Sequence, residues 1–473
     1  MIRKVANGII AFKLKNVKEI LSIYDEFVII GLSKDQFMNV LKYVYKDPYD
    51  FLFMNFDEPW DQVYHRNFNK LVLASISFVT GMLMLVFPLQ AKVEGDKIIL
   101  GSAISLTGKY ATNGLHAQRG YDFAVERINS MGGVKVGGKT YMLSIKYYDD
   151  ESTPARGAQL AERLIKQDGV EFMLGPYSSG LTKAIAPVTE KYGVPMVEAE
   201  GASRSLFTQG YRYLFAVLST SEQYLSPSID HAASMAKKNG KNPSSVKVAM
   251  AFENDPFSLD VREGVVDTAK KYGMKIVIDD KLPADLSDMS ATLTKVKAMR
   301  PDILLVSGHS KGAATAARQI GEMRINVPLI SITHCEAAKV HEKFPKAAQG
   351  FLCPTQWSPN VPYSDSHFGD SKKYDREFKA AYPSYSAIPY QTAQASAAVL
   401  VWKLAFEAAN SFDKDRLRDA ISATQTETFY GKIKFSEAGN NIAKPMLMRQ
   451  ISGKKYADVV SANDLAWPRK VSY

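Results

Sequence analysis

The sequence predicts an α/β fold of two doubly wound parallel-sheet lobes joined by crossovers, and three observations predict it. From residue 97 onward, short β-branched or apolar runs alternate with helix-period segments, the pattern of parallel strands buried on both faces. The alternation breaks at a Ser/Thr-rich stretch (215–222) and again at a Pro/Ser/Tyr-dense stretch (355–370). A chain crossing between lobes loses periodicity in this way. Finally, 473 residues are more than one ordinary domain holds.

Taken in order, 98–104 reads as a strand and 116–129 as a helix with Phe123, Val125 and Ile128 on its apolar face. Strand 141–148 follows the Gly137-Gly138 turn, and helix 154–167 opens on Pro154. Further strands are expected at 172–174, 196–197, 246–252, 275–278, 303–306, 329–332 and 350–353, with an amphipathic helix over 392–409. Lobe 1 is then 92–218, completed by about 360–427, and lobe 2 is 219–359, completed by about 428–473. Ligands of such sheets sit beyond the carboxyl ends of the strands, here in a cleft between the lobes.

Composition is that of a soluble globular chain, 46% apolar and 23% charged. Lys and Arg exceed Asp and Glu by 59 to 49, but the excess is spread out, which argues against a nucleic-acid-binding arm. The only cysteines are Cys335 and Cys353, so no Cys-x-x-Cys site exists. They form either one disulfide or two buried thiols. No cofactor or metal is expected.

Residues 71–87 form an uncharged apolar run, preceded by Arg66 and Lys70 and followed by Pro88-Leu89-Gln90-Ala91. This is the layout of a secretory signal peptide (65–91) cut after Ala91, which places the mature chain in the periplasm. The rival, an uncleaved anchor, needs about 20 apolar residues. The absence of a cysteine near the cut argues against a lipid anchor. Residues 1–64 carry helix-like stretches at 17–24 and 36–45 and no motif. The expectation is that this leader is not translated and that the true start lies near Val63.

Gly175-Pro176-Tyr177-Ser178-Ser179-Gly180 follows one strand and opens a helix, and Glu198-Ala199-Glu200-Gly201-Ala202-Ser203 follows the next. Free helix-N-terminal amides beside two hydroxyls suit a carboxylate ligand, although helix capping by Ser179 explains the first loop equally well. Gly308-His309-Ser310-Lys311-Gly312 fits the Gly-x-Ser-x-Gly nucleophile elbow between a strand and a helix, which makes an α/β-hydrolase the rival reading. The order of triad partners is wrong for it: the last histidine is His367, and Asp365 lies only two residues before it. His334-Cys335-Glu336 with His341 reads as a polar loop end and a surface histidine, and Asp149-Asp150-Glu151 as a solvated turn.

Several further motifs carry a resemblance: Ile104-Ser105-Leu106-Thr107-Gly108, Ile128-Asn129-Ser130-Met131-Gly132-Gly133, Asp149 to Pro154, the Gly-Pro-x-Ser-Ser loop, Gly193-Val194-Pro195, and Thr428 to Phe435. In order and spacing the chain resembles the type I extracytoplasmic solute-binding proteins of ABC importers, the leucine/isoleucine/valine-binding family. That resemblance implies a two-lobed clamp acting as a monomer, with no catalysis, which hands a small ligand to an inner-membrane ABC permease.

It places the serine that holds the ligand carboxylate at Ser179, beside Ser178, and the neighbouring loop at Glu200, Gly201 and Ala202, with Ser203 adjacent. An aromatic lid falls near Tyr110 and Asn113, second-lobe contacts at Phe257 and His309, and a hinge-side aromatic at Tyr390. The family's carboxylate for the ligand ammonium falls at about Thr333-His334, which is not an acid. Glu198, Glu200 or Glu253 is the expected substitute for an amino-acid ligand, and a carboxylic acid without an amine, stacking on Phe257 and Tyr390, is the alternative.

Overall fold

The computed structural model describes residues 2–5, 8–12, 51–55, 64–66, 70–71 and 93–470. The leader contributes five strands, Ile2–Val5, Gly8–Phe12, Phe51–Asn55, Tyr64–Arg66 and Lys70–Leu71, paired antiparallel in chain order. The helix-like stretches at 17–24 and 36–45, and the apolar run beyond Leu71, lie outside the described residues. No helix among the described residues is long and apolar enough to cross a membrane.

From residue 93 the chain builds the two sheets. In the first, the strands run Leu214–Ala216, Met196–Glu198, Met173–Leu174, Lys97–Ile104 and Lys139–Asp149, all parallel. Val134–Val136 and Val93–Glu94 pair antiparallel at its margin. In the second, Lys275–Leu282, Lys247–Glu253, Ile303–Ser307, Leu329–Ile332 and Leu352–Thr355 are parallel. Leu447–Ser452 and Lys455–Val459 then extend it antiparallel. Each sheet is covered on both faces, so its strands lack polar alternation. Along Lys247–Glu253, Val248, Met250 and Phe252 enter one core cluster while Ala249 and Ala251 enter another, as the two-residue strand period requires. The predicted fold class stands.

The helix Tyr390–Ala409 is not amphipathic as expected; it is buried almost all round. One side hydrogen-bonds the sheet through Trp402 Nε1 to the Met173 carbonyl (3.1 Å), another the helix Ala111–Ser130 through Ser396 Oγ to the Gly120 carbonyl (2.7 Å). A β-carbon at Gly120 would lie 2.2 Å from the Thr392 carbonyl, so glycine permits this approach.

Asp149 and Asp150 are not a solvated turn either. Asp149 Oδ1 accepts the amides of Leu106 (3.0 Å), Thr107 (3.2 Å) and Glu151 (2.9 Å), and the fully buried Asp150 accepts Ser105 Oγ (2.7 Å) and the Ser152 amide (2.8 Å). The acids bracket the loop that carries Tyr110 and supply acceptors for its amides at Leu106 and Thr107. His341, expected at the surface, is 3% exposed and lies against the Tyr456 ring. Cys335 and Cys353 are joined as a disulfide, the first of the two outcomes the sequence left open.

Candidate ligand-binding site

Lobe 1 supplies the floor. Ser179 opens the helix Ser179–Lys191, and Ser178 caps it by accepting the Leu181 amide (3.3 Å) at a left-handed φ of 82°. Ser179 Oγ accepts the amides of Ala202 (3.1 Å) and Ser203 (3.0 Å). Both lone pairs are engaged, so the hydroxyl proton is the one function it has left to offer. Beneath the loop, Glu198 accepts the Glu200 and Gly201 amides on Oε1, and its Oε2 is hydrogen-bonded to the Thr182 hydroxyl (2.9 Å). A β-carbon on Gly175 would lie 2.0 Å from that carboxyl, and one on Gly201 would lie 2.4 Å from Thr182 Oγ1. Burial pushes Glu198 up to about 7. Glu200 Oε2 accepts from Gln394 Nε2 (2.9 Å), whereas its buried Oε1 has no hydrogen-bond partner among the described residues. Burial, reinforced by the Glu198 charge, holds the Glu200 carboxyl well above the usual range.

Lobe 2 supplies the wall. Thr333 Oγ1 donates to the Gly308 carbonyl (2.7 Å) and accepts the Gly308 amide (3.1 Å), fixing the turn that presents His309. His334, at a left-handed φ of 60°, has Nδ1 2.8 Å from the same carbonyl. A carbonyl only accepts, so Nδ1 carries the His334 proton and Nε2 is left as an acceptor. Burial, with His309 adding to it, pushes His334 down to about 3, so the ring is neutral. Tyr177 Oη reaches across from lobe 1, 3.0 Å from His334 Nε2 and 2.8 Å from His309 Nδ1. It therefore donates to His334 and accepts from His309. Tyr110 packs edge-on against His309 (centroids 4.6 Å apart).

Between floor and wall lies a narrow cavity of about 10 Å³, lined by Tyr177, Ser178, Ser179, Glu200, Tyr224, Phe257, His309, His334, Tyr390 and Gln394. Ser178, Ser179, Glu200, Phe257, His309, His334 and Tyr390 were expected in it. Gly201, Ala202 and Ser203 instead give their amides to Glu198 and Ser179, and Thr333 holds the Gly308 turn. Asn113 is buried in the first turn of its helix, outside the lining, and its Nδ2 has no partner among the described residues. Tyr177, Tyr224 and Gln394 were missed. Tyr177 sits inside the loop that was singled out, and its signal was an aromatic directly before the two loop serines.

Ser310 does begin a helix after a strand, as an elbow requires. Its Oγ, however, has no hydrogen-bond partner among the described residues, so no nucleophile–base pair forms. The two glycines of the motif serve a different group: β-carbons on Gly308 and Gly312 would lie 2.6 and 2.5 Å from Glu253 Oε1. Asp365 caps a turn by accepting the His367, Phe368 and Phe429 amides. The hydrolase reading falls on this geometry.

A sequence profile of the family described as "Periplasmic binding protein" matches residues 97–456. The Leu/Ile/Val-binding protein BraC3 of Rhizobium johnstonii is 26% identical over 349 residues, covering 72% of this chain and 88% of that one. Leu/Ile/Val-binding protein homolog 8 of Brucella abortus is 26% identical over 223 residues, 47% of this chain; the chain thus spans 54% of that relative's length. Among solved structures, the branched-chain amino acid transporter substrate-binding protein LivJ of Streptococcus pneumoniae, in complex with isoleucine, superposes with a TM-score of 0.67 at 22% identity, covering 79% of this chain and all of that one. A solute-binding protein of an R. palustris ABC transporter, in complex with benzoate, gives 0.64 at 18% identity, covering 79% and 97%. With a profile match across most of its length, the chain belongs to the periplasmic binding protein family.

Proposed function

We propose that the chain is the exported, substrate-binding component of an ABC importer, and that its lobes close on a small amine-bearing organic acid with an α-amino-acid head group. One observation carries the head-group assignment: the spare proton of Ser179 and the spare oxygen of Glu200 line the same enclosed cavity. A ligand carboxylate accepts from the first, and a ligand ammonium meets the second, since a buried cation requires a paired charge. Phe257, Tyr224 and Tyr390 supply apolar surface for the ligand's side chain. Ligand contacts from both lobes stabilise the closed form, and the difference between open and closed is what a permease reads. The relatives' names and the isoleucine complex support this reading. The aromatic lining and the benzoate complex favour a second one, an aromatic acid without an amine.

Calorimetric titration of the chain and of Glu200→Gln with amino acids and with their deaminated counterparts separates the two. Amine-bearing ligands are expected to bind the parent and to lose about 3–5 kcal/mol in the variant, the cost of an uncompensated buried charge. The pH dependence has a definite sign. Glu200 is held neutral over a wider pH range than a free carboxyl, and it must ionise to take a cation. Affinity therefore rises as pH rises from the acid side, and Glu200→Gln removes that rise. Equal binding of deaminated acids, untouched by the substitution, would establish the second reading.

A further inference from the structure

Behind the cavity wall, three buried side chains aim unengaged atoms at one another. Glu253, Asp255 and His309 are 1%, 7% and 4% exposed. Glu253 Oε2, Asp255 Oδ2 and His309 Nε2 have no hydrogen-bond partner among the described residues, and one ligand atom from each residue lies within 4.8 Å of the others.

Each atom is where it is for a structural reason. Asp255 Oδ1 is consumed by the Phe257 (2.8 Å) and Ser258 (3.1 Å) amides it caps, which leaves Oδ2, 3.6 Å from His309 Nε2. Glu253 Oε1 nests against the turn that Gly308 and Gly312 keep clear, which leaves Oε2. The tautomer of His309 follows from the chain of hydrogen bonds behind it. Gly308 O takes the Nδ1 proton of His334, His334 Nε2 takes the Tyr177 hydroxyl, and Tyr177 takes the Nδ1 proton of His309. With Nδ1 committed to Tyr177, His309 turns Nε2 towards the carboxyl groups of Glu253 and Asp255. Three lone-pair donors packed together repel unless something positive lies between them.

We propose that Glu253, Asp255 and His309 form a binding site for one divalent transition-metal ion at the lobe-2 side of the cleft. Burial and the Asp255 charge raise Glu253 to about 9, so ion binding displaces its proton, and a charge of +2 then balances the two carboxylates. A donor separation of 3.6 Å matches two ligands about 2.0–2.2 Å from a common ion. The mixed oxygen and imidazole set suits zinc, manganese or ferrous iron better than calcium or magnesium, which take oxygen alone. A metal-binding histidine characteristically donates its other N–H to a partner that fixes the ring, and Tyr177 fills that role here. Three protein ligands also leave a coordination position open.

The test uses the full, tag-free chain stripped with a chelator and desalted, then titrated with Zn²⁺ alone and with Mn²⁺ alone. The expected result is one equivalent retained through a second desalting step and a raised melting temperature. Affinity should fall at least about tenfold in both Glu253→Gln and Asp255→Asn. Asparagine still caps the helix, and glutamine preserves the shape of Glu253, so circular dichroism should report both variants folded. If neither ion is retained or shifts the melting temperature, the cluster is held together by protons on Glu253 and His309 and the proposal is wrong. Retention that both variants leave unchanged places the metal elsewhere and overturns it equally.

Discussion

Two buried glutamates, one per lobe, end a strand beside the cleft and rest on glycines of a neighbouring loop, yet their surroundings differ. Glu198 closes Met196–Glu198 above Gly175, and two amides and one hydroxyl satisfy it within lobe 1. Glu253 closes Lys247–Glu253 under Gly308 and Gly312, and its Oε2 has no hydrogen-bond partner among the described residues. The same contrast runs through the rest of the site. Ser179, Ala202 and Ser203 form a wired floor, while Asp255, His309 and Ser310 each bury a polar atom with no hydrogen-bond partner among the described residues. A buried polar group normally finds its partner inside the protein. Among the described residues, lobe 1 breaks that rule at Glu200 Oε1, whose residue lines the cavity, and also at Asn113 Nδ2, Asp150 Oδ2, Thr392 Oγ1 and both amide atoms of Gln391. In lobe 2, four of the exceptions, Glu253 Oε2, Asp255 Oδ2, His309 Nε2 and Ser310 Oγ, follow or end two neighbouring strands, and others lie at Glu222, His341, Arg449 and Tyr456.

Thr333 and His334 tie the wall to Gly308 by hydrogen bonds, and the disulfide adds a covalent link beside them. Cys335 follows His334 directly, and its bond to Cys353 closes a separation of 18 residues. Loop-closure entropy gives such a link about 3 kcal/mol. Cys335→Ser/Cys353→Ser is expected to lower the melting temperature and to weaken ligand binding by releasing His334 from its left-handed conformation. Hydrogen exchange should show the loss confined to lobe 2. A melting temperature equal to the parent's would mean that the Thr333 and His334 bonds to Gly308 suffice alone. A smaller effect is expected on the floor. Ser179→Ala removes the acceptor of two amides and the donor to the ligand, and should cost about 1–3 kcal/mol of binding. Unchanged affinity in calorimetry would reject Ser179 as a ligand contact.

The same contrast decides what was legible in the sequence. The floor could be read because its chemistry is local: a Gly-Pro-x-Ser-Ser loop after a strand advertises a helix start with hydroxyls beside it. Most parallel strands of both sheets could be read from their apolar runs, but Leu214–Ala216 and the antiparallel Leu447–Ser452 and Lys455–Val459 were not. The wall is assembled from turns far apart in sequence, so Thr333 looked like a ligand contact when its hydroxyl is needed by Gly308. The Gly-x-Ser-x-Gly spacing looked like an elbow when its glycines make room for Glu253. Gln394 was hidden for another reason. It lies in Tyr390–Ala409, whose neighbours are buried on every side, so no apolar stripe marked which face met the cleft.

The smallest effect is the most discriminating about Glu198. Thr182 has one hydroxyl proton and two acceptors at 2.9 Å, the Ser178 carbonyl and Glu198 Oε2. The conflict disappears if Glu198 is protonated, because it then donates to Thr182, which donates to Ser178. Burial pushing Glu198 up to about 7 agrees with this. Glutamine copies the neutral acid, with its carbonyl facing the two amides and its NH₂ facing Thr182, so Glu198→Gln should cost less than about 1 kcal/mol near neutral pH. The sign across pH is fixed as well. A carboxyl whose folded value is raised keeps its proton in the folded chain when the unfolded chain has lost it. Its contribution is therefore full below the ordinary glutamate range and is lost as pH rises through about 7. The variant has nothing to lose there, so its melting temperature should gain on the parent's between mildly acidic and mildly alkaline pH. Parallel curves for the two proteins would mean that Glu198 is ionised in the fold, with its two amides carrying the charge unaided, and the floor would then be as incomplete as the wall.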